Sequence, residues 1–405
     1  MARPFLADPH LVSKSRDGRE DEINTCIGCN QACLDHVFVG KVSSCLVNPR
    51  ACHETDLAAP SPVPESERLS LGVVGAGPAG CAFAITAAQQ GHTVTLYDQG
   101  SEVGGQFNMA KRIPGKEEFH ETLRYFRTML KKHGVQVQLE TRVSSQDMEN
   151  SEHSKWIVAA GVNPRDPKIP GQDHPSVLSY IDVLKHRKPV GKRVAVIGAG
   201  GIGFDVGEYL LHYTGVDHTA QEVSPDDFWK YWGIDPALQE RGGLAPPQRP
   251  DKDDDDDRQI FLLQRKKGKL GKGLGKTTGW IHRATLGHGP VEMLDGVVYE
   301  KIDENGNLHI LQGEKRRVLE VDNIVFCAGQ VEANQLVSES SSTETPVFCI
   351  GGAYEAGELD AKRAIDMGTR LAMRIHQEDL VPGEHVEKTE EGLEERLFNV
   401  LKRFR

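Results

Sequence analysis

Four cysteines with close, uneven spacing offer the clearest chemistry in the sequence. Cys26, Cys29, Cys33 and Cys45 form C-x2-C-x3-C-x11-C. Three neighbouring thiolates can wrap one face of a compact centre while a fourth returns from a loop. Structural zinc usually takes two C-x2-4-C pairs, whereas a tight triplet with a distant fourth ligand is the habit of a four-iron cluster. A [4Fe-4S] cluster, zinc and structurally inert thiols are the three readings of this pattern. Cys52 lies one gap too far and reads as a buried neighbour. Cys81, Cys327 and Cys349 sit in apolar runs and read as core residues.

Two glycine patterns carry a second chemistry. Gly75, Gly77 and Gly80, with Pro78 and Ala79 between, supply G-x-G-x-x-G directly after the apolar run LSLGVV. In this pattern the first glycine makes the tight turn and the second lets backbone approach a pyrophosphate. The third allows close packing of helix on strand. Asp98 ends the next apolar run, where an acid can hold ribose hydroxyls. Gly104, Gly105 and Gln106 follow; the run is either an ordinary turn or a contact to a cofactor longer than NAD. Its place after the acid favours FAD.

Gly198, Gly200 and Gly203 repeat the fingerprint, but no acid closes a clean strand at the expected offset. The next strong strand, QIFLLQ, runs instead into Arg265, Lys266 and Lys267. A basic cluster there suits a 2'-phosphate and hence NADPH, the alternative being a solvated loop. GKGLGKT has the wrong glycine spacing for a nucleotide-hydrolysing phosphate loop. No side chain is singled out as catalytic.

These residues need elements that position them. The order strand, glycine turn, helix, strand occurs twice, which predicts two Rossmann-like α/β domains. Residues 117–134 have helical apolar spacing, and residues 135–143 alternate as a strand. Residues 216–258 form a long irregular stretch ending in a solvated aspartate run. The expected division is a cysteine segment over 1–57, a Pro-rich linker over 58–68, a first dinucleotide domain from 69, a second from 188, and a peripheral extension over 381–405. The chain has 405 residues and a formal net charge of -11, which opposes general nucleic-acid binding. No apolar run reaches membrane-spanning length, and no secretory leader is legible, so the reading is a soluble cytoplasmic protein.

The runs CIGCNQAC, CLVNPRACHE, VVGAGPAG, EVGGQFNMAKRIPGKEEFHETLRYFR, VIGAGGIGFDV, GKGLGKTTGWIHR and GELDAKRAIDMGTRLA together carry a resemblance. The chain resembles the C-terminal part of the bacterial-type NADPH-dependent 2,4-dienoyl-CoA reductases, from about Pro4 to about Arg374. These belong to the iron-sulfur flavoenzymes of the NADH:flavin oxidoreductase and trimethylamine dehydrogenase group. The resemblance implies a FAD domain of disulfide-reductase type in two parts, over 69–187 and 336–380, with an NADP domain inserted over 188–335. It also implies electrons passing from NADPH to FAD, a [4Fe-4S] cluster and FMN. By motif, Cys26, Cys29, Cys33 and Cys45 match the cluster ligands. Gly75, Gly77, Gly80, Asp98, Gly105, Gln106, Val143 and Ala160, with a return segment at Gly352, Leu359 and Ala361, match FAD. Gly198, Gly200, Gly203, Arg265 and Lys266 match NADPH, with Lys276 and Thr277 nearby.

The family's FMN barrel has no counterpart in these residues beyond a final segment like MARPFLADPHLVSK. FMN is therefore expected only if a barrel acts in trans, and Phe5, Leu6 and Phe38 are expected to be uncovered. The expected function is the electron-input portion of such an enzyme, passing electrons to a separate barrel or another acceptor. The rival expectation is a truncated product that at most binds cofactors or acts as a scaffold.

Overall fold

The computed structural model describes residues 1–212, 224–248, 258–340, 344–357 and 360–383. The expected aspartate run, Leu359 and most of the C-terminal extension lie outside the described residues.

The cysteine segment comes first and contains one short helix after the third cysteine, α1 (Leu34–Val39). The first dinucleotide unit follows with β1 (Ser70–Val74), α2 (Pro78–Gln89) and β2 (Thr93–Tyr97). Next come α3 (Phe119–Lys132), β3 (Gln136–Gln138), β4 (Lys155–Val158) and β5 (Val162–Pro164). The alternation read over 135–143 yields only the three-residue edge strand β3, because among the described residues β2 is its single sheet neighbour and the chain then turns away. Val143 leaves the sheet with that turn.

The second unit contains β6 (Val177–Ser179), α4 (Tyr180–Leu184), β7 (Arg193–Ile197) and α5 (Gly201–His212). A further helix, α6 (Pro225–Trp232), lies within the stretch expected to be irregular. Its start has a local cause: the Ser224 hydroxyl accepts the Asp227 N–H at 3.1 Å, and Pro225 occupies the first turn. The unit continues with β8 (Gln259–Leu263), α7 (Gly279–His288) and β9 (Val291–Leu294). An antiparallel group, β10 (Val297–Ile302), β11 (Leu308–Gln312) and β12 (Lys315–Leu319), precedes β13 (Asn323–Phe326). The chain returns through β14 (Gln330–Glu332), β15 (Val347–Cys349) and α8 (Ala361–Arg374).

Two five-stranded sheets organise these elements, ordered β15-β4-β1-β2-β3 and β6-β13-β7-β8-β9. Every pairing within both is parallel. Parallel strands are covered on both faces, which explains the unbroken apolar runs LGVV, VAVI and IFLL. Since β15 rejoins the first sheet after the second is complete, the second unit is inserted into the first. β6, inside the span expected for the first domain, pairs with β13 of the second sheet. The fold is thus a pair of Rossmann-type α/β units. Helices α2 and α8 cover the first sheet, where Gly368 of α8 leaves room for the Ala79 carbonyl. Among the described residues, no helix is long and apolar enough to cross a membrane.

Candidate functional site

In open parallel sheets ligands bind beyond the carboxyl ends of the strands, and both glycine turns stand there. Gly75 follows β1 with φ +107°, and Gly198 follows β7 with φ +114°. Both values favour glycine. A Cβ on either would collide with backbone: the Ala159 carbonyl beside Gly75, and the Cys327 carbonyl beside Gly198. Gly80 and Gly203 are closed in the same way by the carbonyls of Gly75 and Gly198. The middle glycines differ. A Cβ on Gly200 would meet nothing within 4 Å, and one on Gly77 would only reach the Gly105 Cα at 4.0 Å. Each turn is therefore packed at its first and third glycines and open at its second, the space a pyrophosphate needs.

A cleft of about 430 Å³ opens beside the first turn and includes Gly75, Asp98, Val143 and Ala160 in its lining. Asp98 is held in place from both sides: one carboxylate oxygen accepts the Ala76 N–H at 2.6 Å, the other the Gly100 N–H at 2.7 Å. Arg142 and Ser144 share the lining, and sequence reasoning did not select them. Their adjacency to Val143 is the signal that could have done so. Gly105 packs its Cα toward Gly77, so the GGQ run lies directly against the first turn. Gln106 accepts a hydrogen bond from Gln330 at 3.3 Å. Pro78 and Ala79 open α2. Gly352 is buried in a single helical turn whose first residue, Gly351, faces Ala79, and Ala361 is the first residue of α8.

In the second unit, Arg265 and Lys266 are exposed just beyond the carboxyl end of β8. β8 pairs with β7, which leads into the Gly198 turn. Thr277 and Lys276, placed near NADPH by resemblance, meet the cysteine segment: the Asp35 carboxylate accepts the Thr277 N–H at 2.9 Å and hydroxyl at 2.7 Å, and the Lys276 backbone N–H at 3.2 Å.

Cys26, Cys29, Cys33 and Cys45 are all half-buried and line one cavity together with Leu6 and Ile27. None of the four is in a disulfide. Burial pushes the Cys29 thiol up to about 11 and the Cys45 thiol up to about 12, with neighbouring cysteines adding repulsion. Among the described residues no group of three or more His, Cys, Asp or Glu side chains is arranged to hold a single metal ion. Arg124 of α3 anchors the approach to Cys26 by donating to the Ile23 carbonyl at 2.8 Å and the Thr25 hydroxyl at 3.2 Å. Lys362 of α8 donates to His36 of α1 at 3.1 Å.

Two expectations for the cysteine segment change, and one for a cysteine outside it. Cys52 is exposed, in a left-handed backbone conformation (φ +63°), with its N–H on Glu54 at 3.1 Å. Its turn points the side chain outward. Leu6 is half-buried against the cysteine cavity, while Phe5 and Phe38 are exposed. Cys81 and Cys327 are buried, and Cys349 is half-buried.

Comparison with known proteins places this geometry. A metal reductase of Desulforamulus reducens is 29% identical over 359 residues, covering 88% of this chain and 51% of its own. A bilirubin reductase of Mediterraneibacter gnavus is 32% identical over 210 residues, covering 52% of this chain and 32% of its own. The chain spans about half or less of the length of these curated relatives. Among solved structures, a 2-naphthoyl-CoA reductase in complex with 2-naphthoyl-CoA superposes with a TM-score of 0.76 at 24% identity. It covers 92% of this chain and 50% of its own. Thioredoxin reductase of Lactococcus lactis gives a TM-score of 0.52 at 15% identity, covering 76% of this chain and 97% of its own. Both show the same fold. Residues 70–347, from β1 to the start of β15, match a pyridine nucleotide-disulphide oxidoreductase family, whose members bind FAD and a pyridine nucleotide, and the chain belongs to that family of flavin-dependent oxidoreductases.

Proposed function

We propose that this chain is the electron-input portion of a 2,4-dienoyl-CoA reductase-like enzyme, oxidising NADPH and delivering electrons through FAD and a [4Fe-4S] cluster to an acceptor. The observation that carries the reading is the lining of one cavity by Cys26, Cys29, Cys33 and Cys45 in a chain that also has two open dinucleotide turns.

The first unit offers FAD the space at Gly77, the Asp98 carboxylate at the end of β2, and the cleft bordered by Val143 and Ala160. Gly105 and Gln106 stand against the turn, with Gly352 and Ala361 on the returning segment. The second unit offers NADPH the open Gly200 position. Arg265 and Lys266 supply positive charge where the added 2'-phosphate needs it, a charge-assisted contact that a free ribose hydroxyl cannot match. The cysteine cavity's donor set fits a thiolate-held cluster, since its lining includes four cysteines and no histidine or carboxylate. The raised Cys29 and Cys45 values mean that these thiols release protons when metal binds.

When bound, FAD accepts a hydride from the nicotinamide and an iron-sulfur cluster carries the electrons singly. The Asp35 contact with Thr277 holds the cysteine segment against the second unit, and the Lys362 contact with His36 holds it against the first. The final acceptor is external to these residues. A barrel that carries FMN is the acceptor we favour. The names metal reductase and NADH oxidase among the relatives support a chain type that serves varied acceptors.

Anaerobic purification followed by flavin extraction and metal analysis tests the reading. The expected yield is FAD with about four irons per chain, and loss of iron with retention of FAD in Cys33→Ser. Zinc without iron, FMN in place of FAD, or a flavin that NADPH leaves oxidised would sink it.

A further inference from the structure

A hydrogen-bonded bridge joins the two glycine turns. The Gln330 side-chain amide donates to Gln106 at 3.3 Å and to the Tyr180 hydroxyl at 2.9 Å. Gln106 follows Gly105, which lies against Gly77 of the first turn. On the other side, Gln330 stands three residues after Cys327, whose carbonyl abuts Gly198 of the second turn and whose N–H bonds the Ile197 carbonyl at 2.8 Å. Tyr180 is 2% exposed and is the first residue of α4. A capping box fixes that helix start: the Ser179 hydroxyl accepts the Asp182 N–H, and Asp182 accepts the Ser179 N–H at 2.9 Å. Burial and the cap leave Tyr180 little freedom, so its hydroxyl is a fixed acceptor for Gln330.

We propose that Tyr180 and Gln330 are positioning residues that set how the nucleotide held by the second unit meets the flavin-side turn at Gln106. The proposal rests on the FAD and NADPH reading above. Both N–H groups of the Gln330 amide are used in the bridge, so neither contact can shift without straining the other. A displacement of about 1 Å between reacting groups can cost about a hundredfold in rate. The adenosine end of the nucleotide is held separately, at Gly200, Arg265 and Lys266, so position and affinity are separable.

The test uses the FAD-loaded 405-residue chain, prepared anaerobically, in Tyr180→Phe, Gln330→Leu and Gln330→Glu forms. Stopped-flow absorbance gives the limiting rate of flavin reduction at saturating NADPH, and calorimetry gives the Kd for NADP+. Hydrogen exchange over residues 104–107 reports on the loop with no nucleotide present. Tyr180→Phe and Gln330→Leu should each lower the limiting rate by roughly tenfold or more, with the Kd within about twofold of the parent. Exchange at 104–107 should rise in both. Gln330→Glu should recover most of the rate, because a carboxylate accepts from the Tyr180 hydroxyl and from the Gln106 amide once that amide turns over. Unchanged limiting rates in Tyr180→Phe and Gln330→Leu, or a Gln330→Glu form no better than Gln330→Leu, would overturn the proposal. A parent chain without FAD, or one that NADPH does not reduce, would overturn the underlying reading as well, and the parent alone reveals it.

Discussion

The Asp35 carboxylate accepts two hydrogen bonds from Thr277, 2.9 Å from its backbone nitrogen and 2.7 Å from its hydroxyl. Asp35 stands two residues after Cys33, and Thr277 stands two residues before α7, so a contact across 242 positions fastens the cysteine segment to the second dinucleotide unit. Gly275 makes the approach possible, since a Cβ there would lie 3.0 Å from an Asp35 carboxylate oxygen. A double-mutant cycle with Asp35→Ala and Thr277→Val should give a coupling of about 1–2 kcal/mol in denaturant unfolding, the scale of a charge-assisted hydrogen bond. Additive losses would show that the contact does not bear on stability.

The open second glycine and the closed third one separate binding from folding. Gly200→Val should fold nearly as well as the parent, because its added atoms start in free space and Val at a helix start costs only about 1 kcal/mol. The same substitution should weaken NADP+ binding by at least about tenfold, since it fills the room for the pyrophosphate. Gly203→Ala should do the reverse, lowering Tm through collision with the Gly198 carbonyl. Thermal unfolding and calorimetry on both variants decide it, and equal effects on Tm would refute the distinction.

Nucleotide preference follows from exposed charge at the end of β8. Arg265→Ala should raise the Kd for NADP+ by roughly tenfold to a hundredfold, the range of one charge-assisted hydrogen bond. Its Kd for NAD+ should move by less than about twofold, because no 2'-phosphate is present to lose a partner. The NADP+ loss should shrink as salt is raised, since the site is exposed. Equal changes for both nucleotides would return Arg265 and Lys266 to the role of a solvated loop.

The parts legible in the sequence were those fixed by local rules. Gly75 and Gly198 announce tight turns because only glycine adopts such φ values cheaply, and the runs around them announce strands because parallel sheets are buried on both faces. The spacing of Cys26, Cys29, Cys33 and Cys45 brought those residues to notice, and the fold brings them around one cavity. Local rules also erred. The alternation over 135–143 belongs mostly to a loop, since an edge strand ends where its neighbour ends. The helix Pro225–Trp232 was announced by Ser224, Pro225 and Asp227, yet the aromatic run beside them hid it. Tyr180 and Gln330 were illegible, because their meeting across 150 positions depends on the return of the chain through β14. Asp35 and Thr277 meet for the same kind of reason.

Acid stability should turn on His92. The ring is 5% exposed and stacks on His376 at 6.1 Å. Its pKa is pushed down from 6.5 to about 4, first by burial and then by the nearby His376, Lys155 and Arg68. A backbone N–H from Leu69 reaches the ring at 3.1 Å and uses Nδ1 as an acceptor, which favours the neutral form. In the unfolded chain the same imidazole protonates near 6.5, so between about pH 6.5 and pH 4 the unfolded state binds the extra proton. Stability is therefore fully present above about pH 6.5 and falls as pH drops toward 4, by on the order of 2–3 kcal/mol from this group. His92→Asn keeps an acceptor for the Leu69 N–H but cannot take up a proton. Although less stable at pH 7.5, it should lose less stability between pH 7 and pH 4.5 than the parent. Urea midpoints measured across that range on cofactor-loaded preparations check the difference in slope. Parallel pH profiles would mean that the burial of His92 contributes nothing to acid sensitivity.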